Sequence, residues 1–153
     1  MTAEEYMKIA LKMAQKAAEH DEVPVGAVIV NPQTGEIVAK AYNKGTHSGD
    51  STAHAEILAI QKACKKLKQN RLWNMDMYVT LEPCTMCAAA ISFARIAKLY
   101  FGASDEKGGA IVNGVKFYDS PTCHHRPKYT GGILTDRCSE LLKNFFKGKR
   151  KQD

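Results

Sequence analysis

Apolar residues recur along this chain with two different periods, and the first third of the sequence contains both. Behind a Thr-x-x-Glu capping box at Thr2, they recur at helical spacing over residues 6–17, which predicts an amphipathic first helix ending near His20. Short β-branched runs follow at residues 25–30 and 37–42, with a cluster containing Pro and Gly between them. Runs of this length around such a cluster predict a β-hairpin.

A second amphipathic helix is predicted after the hairpin. Residues 43–51 are rich in Gly, Ser, Thr and Asp without periodicity, so we interpret them as a loop that leads to this helix. On the helix, four apolar residues repeat at the spacing of one buried face: Ile57, Ile60, Cys64 and Leu67. This pattern makes Cys64 a core residue and not a metal ligand.

The middle of the chain predicts a strand, a helix and a further strand. Residues 77–81 and 98–101 are strand-like, and residues 88–94 between them are helical in composition. Strands joined in this way pair in parallel. Residues 104–126 then form a long segment without clear periodicity, and a segment of this length in a compact domain usually binds something or contains a short buried turn.

The remaining elements complete a recognisable architecture. Residues 129–133 predict a weak last strand, and a final helix has Cys138, Leu141, Leu142 and Phe145 on one face. Together these elements predict a three-layer α/β/α fold with a mixed sheet of about five strands. We expect residues 1–153 to form a single domain, with a site where strands end and helices begin.

Two short stretches contain the residue types of a zinc site. Thr52-Ala53-His54-Ala55-Glu56 supplies an imidazole and a carboxylate, and Pro83-Cys84-Thr85-Met86-Cys87 supplies two thiols three residues apart. Cysteines at this spacing on a helix lie on the same side. Zinc binds thiolate and imidazole in tetrahedral geometry, and a catalytic site keeps one position open for water. We therefore predict that His54, Cys84 and Cys87 bind one zinc ion.

Glu56 has a different predicted role from the three ligands. It follows His54 by two residues at the start of a helix, where its carboxylate lies near the metal without binding it. A carboxylate in that position suits proton transfer during hydrolysis, so we predict that Glu56 is the catalytic acid and base. The combination His-x-Glu with Pro-Cys-x-x-Cys resembles the signature of the zinc-dependent nucleobase deaminases.

Composition limits the class and the expected compartment. The chain has 153 residues, of which 44% are hydrophobic and 25% charged, as in a globular protein with a sizeable core. It has no signal-peptide pattern and no apolar run long enough to span a bilayer, so we expect a cytoplasmic protein without membrane contact. The five cysteines are an odd number, and the three outside the metal motif are interpreted as reduced thiols.

The net charge favours a polyanionic partner. Twenty-two Lys and Arg residues against 16 Asp and Glu residues give a net charge of +6. A basic surface attracts nucleic acid through the release of counterions, although lysines such as those at 62, 65, 66 and 68 also fit an ordinary solvated helix face. Charge alone does not distinguish RNA from DNA.

Beyond the metal motif, the chain resembles the bacterial tRNA-specific adenosine deaminases nearly from end to end. The resembling stretches are Glu22-Val23-Pro24-Val25-Gly26-Ala27, Tyr42-Asn43, Arg95-Ile96, Phe101-Gly102-Ala103, Asp105, Lys107-Gly108, His125-Arg126 and Gly132-Ile133. The resemblance implies a cytidine deaminase-like fold, one zinc ion per subunit and a homodimer. It also implies conversion of the wobble adenosine in the anticodon stem-loop of an arginine tRNA to inosine.

The same resemblance implies five substrate-binding residues. Asn43 is expected to bond the target base, Asp105 to lie near its ribose, His125 and Arg126 to meet the anticodon loop, and Phe146 to stack near flanking nucleotides. Each has a structural alternative, since Asn and Asp often cap turns and a His-Arg pair can be a solvated basic loop. Between residues 109 and 124 the sequence departs from many bacterial relatives, so contacts there are the least transferable.

Two other functions are compatible with the sequence pattern. A deaminase of free guanine, cytosine or cytidine would have the same metal ligands. It would not require the excess of basic residues or the Phe145-Phe146 pair with the basic tail that follows it. A structural-zinc RNA-binding module would close the site with a fourth ligand such as His47, Cys123 or His124. Glu56 argues against that module, because a closed site has no use for the carboxylate. The sequence leaves open which tRNAs are accepted and whether a dimer completes the site.

Overall fold

The computed structural model describes residues 1–152, with side chains described as far as Lys149. Within these residues the chain forms five strands and five helices, and one turn of 3-10 helix at Phe117–Asp119 interrupts a long connection. In chain order the elements are α1 (Ala3–Glu19), β1 (Gly26–Val30), β2 (Ile37–Tyr42), α2 (Gly45–Ser48), α3 (Ala55–Leu67), β3 (Asp76–Leu81), α4 (Thr85–Phe93), β4 (Lys98–Ala103), β5 (Lys128–Thr130) and α5 (Thr135–Gln152).

The strands form one mixed sheet in the order β2-β1-β3-β4-β5. β1 pairs antiparallel with both β2 and β3, whereas β3 with β4 and β4 with β5 pair in parallel. The predicted hairpin and the predicted parallel strand–helix–strand unit are therefore confirmed. The other strands lie within two residues of their predicted ends, and the edge strand β5 is shorter than its predicted span of residues 129–133 and begins one residue earlier.

Helices α1 and α5 cover one face of the sheet. Side chains of a strand alternate between faces, so Val28 and Val30 of β1 point to this side and pack with Met7 and Leu11 of α1. The capping box that starts α1 is present, and the helix ends at Glu19 with His20 as its C-cap, near the predicted end. α1 packs so closely that a Cβ on Gly26 would lie 2.1 Å from the Ala10 carbonyl oxygen, which explains the glycine at this position.

Helices α3 and α4 cover the opposite face, which completes the three predicted layers. Ala27 and Ile29 of β1 point to this side. The most buried residues of α3 are Ala55, Glu56, Ala59 and Ala63. The predicted face (Ile57, Ile60, Cys64 and Leu67) is only partly buried, and of these residues Ile60, Cys64 and Leu67 pack at the edge of the core. Small side chains let the helix approach the sheet closely, so the predicted buried face was displaced toward the rim.

The loops differ from the sequence prediction in one respect. Residues 43–51 contain the short helix α2, which the lack of periodicity did not reveal. Residues 104–127 remain without strands, and Ile111 and Tyr118 anchor them in the core. No helix within residues 1–152 combines the length and the apolar character that crossing a membrane requires.

Candidate metal and substrate site

The three predicted zinc ligands lie where two helices begin on the same face of the sheet. His54 is the residue immediately before α3, and Cys84 is the residue immediately before α4; both have extended backbone angles. Cys87 lies in the first turn of α4 and is fully buried. Pro83 precedes Cys84 and directs the chain from β3 into the helix. The sheet therefore brings together ligands from two distant parts of the sequence.

The distances between the ligand atoms fit zinc. His54 Nδ1 lies 3.6 Å from Cys84 Sγ and 3.4 Å from Cys87 Sγ, and all three atoms lie within 4.8 Å of one another. Zinc–sulfur bonds of about 2.3 Å and zinc–nitrogen bonds of about 2.0 Å at a tetrahedral angle require a nitrogen–sulfur separation of about 3.5 Å. The donor set and its spacing therefore suit this metal without rearrangement.

The residues considered as a fourth zinc ligand, His47, Cys123 and His124, are not part of this ligand group. Among the described residues, the only group of potential ligands that converges to metal-binding distance is His54, Cys84 and Cys87. His47 is hydrogen-bonded to Glu22, and the buried Cys123 Sγ lies 3.2 Å from the His125 carbonyl oxygen. A three-ligand site with an open position is typical of catalytic zinc and not of a closed structural site.

The two thiols of the site differ in acidity. A hydrogen bond from Cys87 lowers the pKa of Cys84 to about 4, and hydrogen bonding to His54 acts in the same direction. The hydrogen bond to Cys84, together with burial, raises the pKa of Cys87. Cys84 is therefore a ready thiolate, which is the form of cysteine that binds metal.

Glu56 lies in the first turn of α3, and its side chain is buried. Burial raises the pKa of this carboxyl to about 7, and the negative charge of Cys84 contributes in the same direction. A carboxyl group that titrates near neutrality both accepts and donates protons readily. The geometry therefore suits the proton-transfer role predicted for Glu56.

Asn43 contacts the start of α3 from the end of β2. Its Oδ1 accepts a hydrogen bond of 2.7 Å from the backbone N–H of Ala55, one of the amides that a helix start leaves without a partner. The bond fixes which atom of the side-chain amide faces the helix, so Nδ2 is the atom left available. Among the described residues, this Nδ2 makes no hydrogen bond to protein.

A cavity of about 270 Å³ has two of the three predicted ligands, His54 and Cys84, in its wall. The polar residues that line it are Asn43, His54, Glu56, Glu82, Cys84 and Asp105, and Val23, Val25, Leu81 and Gly108 complete its wall. The structure therefore brings Asn43 and Asp105 together with the metal ligands. Asp105 itself forms a turn, because its Oδ1 accepts hydrogen bonds from the backbone N–H groups of Lys107 and Gly108.

Two further cavities share walls with the central one. A cavity of about 420 Å³ also has Asn43 and His54 in its lining. A cavity of about 570 Å³ also includes Asp105 and extends to Lys107, Lys143 and Phe146. The predicted stacking residue Phe146 is 47% exposed on that wall. The site is thus the centre of a groove and not an isolated pocket.

His125 and Arg126 make contacts within the protein. His125 Nε2 lies 2.7 Å from the Ile96 carbonyl oxygen. Arg126 donates hydrogen bonds through Nε to the Tyr118 carbonyl and through its guanidinium NH2 to the Ser120 carbonyl. Both residues hold the long connection before β5, and their contact with RNA stays a prediction.

Comparison with known proteins agrees with this geometry. The model of the cytidine and deoxycytidylate deaminase zinc-binding region matches residues 1–103. The tRNA-specific adenosine deaminase of Agrobacterium fabrum is 52% identical over 148 residues, which covers 97% of this chain and 96% of the relative. That of Aquifex aeolicus is 46% identical over 98% of this chain and 97% of the relative.

The chain belongs to the tRNA-specific adenosine deaminases. A solved structure from biochemical and structural studies of A-to-I editing by tRNA:A34 deaminases at the wobble position superimposes with a TM-score of 0.87. It is 52% identical and covers 90% of this chain and 99% of its own. The predicted family, fold class and zinc cofactor are confirmed.

More distant structures share the fold alone with this deaminase. The guanine deaminase from Nitrosomonas europaea superimposes with a TM-score of 0.77 at 23% identity, covering 93% of this chain and 83% of its own. At that identity the similarity carries no information about the substrate.

Two buried carboxylates in this deaminase were not predicted from the sequence as site residues. Glu22 accepts hydrogen bonds from the backbone N–H groups of Thr46 and His47 and so holds α2 beside Asn43. Glu82 follows β3 and is 2% exposed. The signal that could have found them is a charged residue next to an apolar strand, at the end where the site lies.

Proposed function

We propose that this deaminase converts adenosine to inosine by hydrolysis at the wobble position of a tRNA anticodon, in an arginine tRNA as the family resemblance implies. The observation that carries the proposal is the combination of a complete catalytic zinc arrangement with near-full-length identity to relatives named tRNA-specific adenosine deaminases. A net charge of +6 and a groove that extends on both sides of the site suit an RNA loop better than a free base.

In this proposal His54, Cys84 and Cys87 hold the zinc ion. When bound, zinc supplies the Lewis acidity that makes water a nucleophile at neutral pH. The surrounding chain contributes geometry, because the starts of α3 and α4 hold all three ligands on packed helices.

Glu56 moves the protons. Water gives its proton to the Glu56 carboxylate as its oxygen attacks C6 of adenine, and Glu56 passes this proton to N1. A second proton from the water oxygen then reaches the amino group through Glu56, so that ammonia leaves and the C6 oxygen becomes the carbonyl of inosine. The Glu56 carboxyl has a pKa of about 7, which suits both proton transfers at physiological pH.

The neighbouring residues position the nucleotide. Asn43 offers Nδ2 as a hydrogen-bond donor to an acceptor atom of the base, because its oxygen is already bonded to α3. Asp105 lines the cavity and is assigned to the ribose, and Phe146 stacks a flanking base in the adjoining cavity. The wobble nucleotide must leave its stack to reach the site, which is easier in an anticodon loop than in a duplex.

The proposal extends to the assembly, the domain and the compartment. We assign residues 1–153 to a single deaminase domain in a cytoplasmic homodimer. Phe93, at the end of α4, is 69% exposed, and Trp73 is 51% exposed. A hydrogen bond from Leu72 to the Ala94 carbonyl places the two side chains at the same end of α4. A second copy of the chain would cover this apolar surface, and light scattering of wild type and Phe93→Lys tests the dimer.

The decisive experiment uses an arginine anticodon stem-loop with adenosine at the wobble position. Its matched control is the same stem-loop with guanosine there, so that adenosines elsewhere in the loop report on positional selectivity. Free adenine, guanine, cytosine and their nucleosides are assayed in parallel for ammonia. We expect inosine at the wobble position only. Turnover of a free base or nucleoside alone would overturn the tRNA assignment, and bound zinc without any turnover would favour a structural site.

A further inference from the structure

The buried carboxylate of Glu82 has a set of contacts that metal binding and proton transfer do not require. Glu82 lies two residues before Cys84. Its carboxylate accepts five hydrogen bonds, all from residues 23 to 31 positions later in the sequence. Oε1 accepts from the backbone N–H of Asp105 at 2.9 Å and from Asn113 Nδ2 at 2.7 Å. Oε2 accepts from the backbone N–H groups of Ile111, Val112 and Asn113 at 3.0, 2.9 and 3.1 Å.

These contacts define the conformation of residues 105–113, here called the Asp105 loop. Its backbone N–H groups converge on a single carboxylate, which takes the place of the strand partners that the segment lacks. The main chain of the loop also packs closely against this carboxyl group, since a Cβ on Gly109 would lie 2.4 Å from Glu82 Cδ. A buried charge is stable only when its hydrogen-bonding capacity is filled, and here main-chain amides fill most of it. The loop and the carboxylate are therefore fitted to one another.

The Asp105 loop forms part of the cavity wall, whereas Glu82 is joined through Pro83 to the predicted metal ligand Cys84. Asp105 and Gly108 line the same cavity as the predicted metal ligands His54 and Cys84. The Ala110 N–H also donates to the Pro83 carbonyl at 2.9 Å, directly beside Cys84. One short segment, Glu82 to Cys84, thus fixes the metal ligand and the loop that faces the substrate.

We propose that Glu82 is a positioning residue, whose carboxylate sets the Asp105 loop at the distance from the metal ligands that the RNA nucleotide requires. Glu82 also lines the cavity, but both of its carboxylate oxygens are occupied by the Asp105 loop, so its effect on the substrate passes through Asp105. This inference rests on the proposed function for its kinetic consequences, and on the structure alone for the order of the loop.

The main variant is Glu82→Gln, which keeps the size of the side chain but replaces one acceptor by a donor. The new NH2 group faces at least two N–H donors whichever way the amide turns, so the Asp105 loop loses its anchor. We expect kcat/KM for the stem-loop to fall about tenfold or more, mainly through a higher KM, with one zinc per chain retained. Glu36→Gln is the matched control, because among the described residues the Glu36 side chain makes only an exposed ion pair with Lys66.

A double-mutant cycle with Asp105→Ala distinguishes positioning from general destabilisation. If Glu82 acts through Asp105, the double variant is no slower than the slower single variant, because the second change removes an effect already lost. If the losses in kcat/KM multiply, or if Glu82→Gln has wild-type kinetics, the proposal is overturned. Asn113→Ala removes only one of the five bonds and provides a milder variant should Glu82→Gln fail to fold; it should raise KM in the same direction, and unchanged kinetics would count against the proposal.

Hydrogen exchange gives a readout that does not depend on the substrate. The amides of Ile111, Val112 and Asn113 should be protected in the wild type and exchange faster in Glu82→Gln, while amides of β1 stay protected. Unchanged protection would overturn the positioning role even if activity fell. If the wild type leaves the stem-loop unchanged, the proposed function fails, and the exchange experiment still decides whether Glu82 holds the loop.

Discussion

Asn43 has two separable tasks in this structure, and a pair of substitutions distinguishes them. Its oxygen accepts a hydrogen bond from the Ala55 N–H, and its nitrogen is left to donate to the base. Asn43→Ala removes both groups. Asn43→Asp keeps an acceptor at the same place but has no donor. The first variant is expected to lose stability and activity, whereas the second is expected to lose activity only.

The expected magnitudes follow from the contacts. Loss of a side-chain acceptor at a helix start destabilises a protein by about 1 kcal/mol, which lowers the Tm of a domain of this size by about 2 to 4 °C. Asn43→Asp should melt within about 1 °C of the wild type because the bond to α3 remains. An unpaired acceptor on the base corresponds to about 1 to 3 kcal/mol, or about a 5- to 150-fold loss in kcat/KM for both variants.

The assay combines thermal melting with single-turnover inosine formation in the anticodon stem-loop. Asn31→Ala is a matched control, since Asn31 Oδ1 also accepts a backbone hydrogen bond, from Gln33, but in the exposed hairpin turn. This control should leave activity unchanged. Wild-type kcat/KM in Asn43→Asp would refute the donor assignment. An equal fall in Tm for the Ala and Asp variants would refute the assigned contact with α3.

Three other predictions test the site. Glu56→Ala should keep one zinc per chain, measured by metal analysis, and lose about 10²- to 10⁴-fold in turnover; retained turnover would exclude its proton-transfer role. Cys87→Ala should lose zinc whereas Cys64→Ala, outside the ligand group, keeps it; zinc at one per chain in Cys87→Ala would mean that the ligands are wrongly assigned. Burial raises the pKa of Glu22, but hydrogen bonds from the helix α2 residues His47 and Thr46 outweigh this effect and lower the pKa from 4.5 to about 2. The ionised Glu22 carboxylate therefore contributes its full stabilisation above about pH 4.5, and this stabilisation disappears toward pH 2. The melting temperature of Glu22→Gln should therefore fall less steeply than that of the wild type as the pH is lowered from about 4.5 to about 2. An equal fall in melting temperature for both proteins would contradict this.

The sequence was sufficient for the parts of the site that depend on short-range order. His54 and Glu56 share one helix start, and Cys84 and Cys87 share another, so local spacing alone predicted that each pair lies where a helix begins. The strands next to them were predictable because their apolar runs are long. Contacts between distant segments were not predictable. Nothing in the spacing of Glu82 reveals that residues 105–113 fold back onto it.

The buried face of α3 was misplaced for a related reason. Periodicity identified the large apolar residues, yet the closest contact with the sheet is made by Ala55, Ala59 and Ala63. How closely a helix approaches a sheet is a property of the packed structure, and small side chains carry little hydrophobic signal. The tasks of His125 within the fold were hidden in the same way, since a residue's partners across the chain leave no local trace.

The placement of the metal ligands at two helix starts has a consequence for the stability of the fold. His54 and Cys84 are 30 residues apart in sequence and belong to helices on the same face of the sheet. An ion bound to both closes this segment into a ring and so restricts the unfolded chain. A covalent cross-link of the same span corresponds to about 3 to 4 kcal/mol of loop-closure entropy. Bound zinc would thus cross-link α3 to α4, and we expect the melting temperature of this deaminase to rise with the concentration of free zinc.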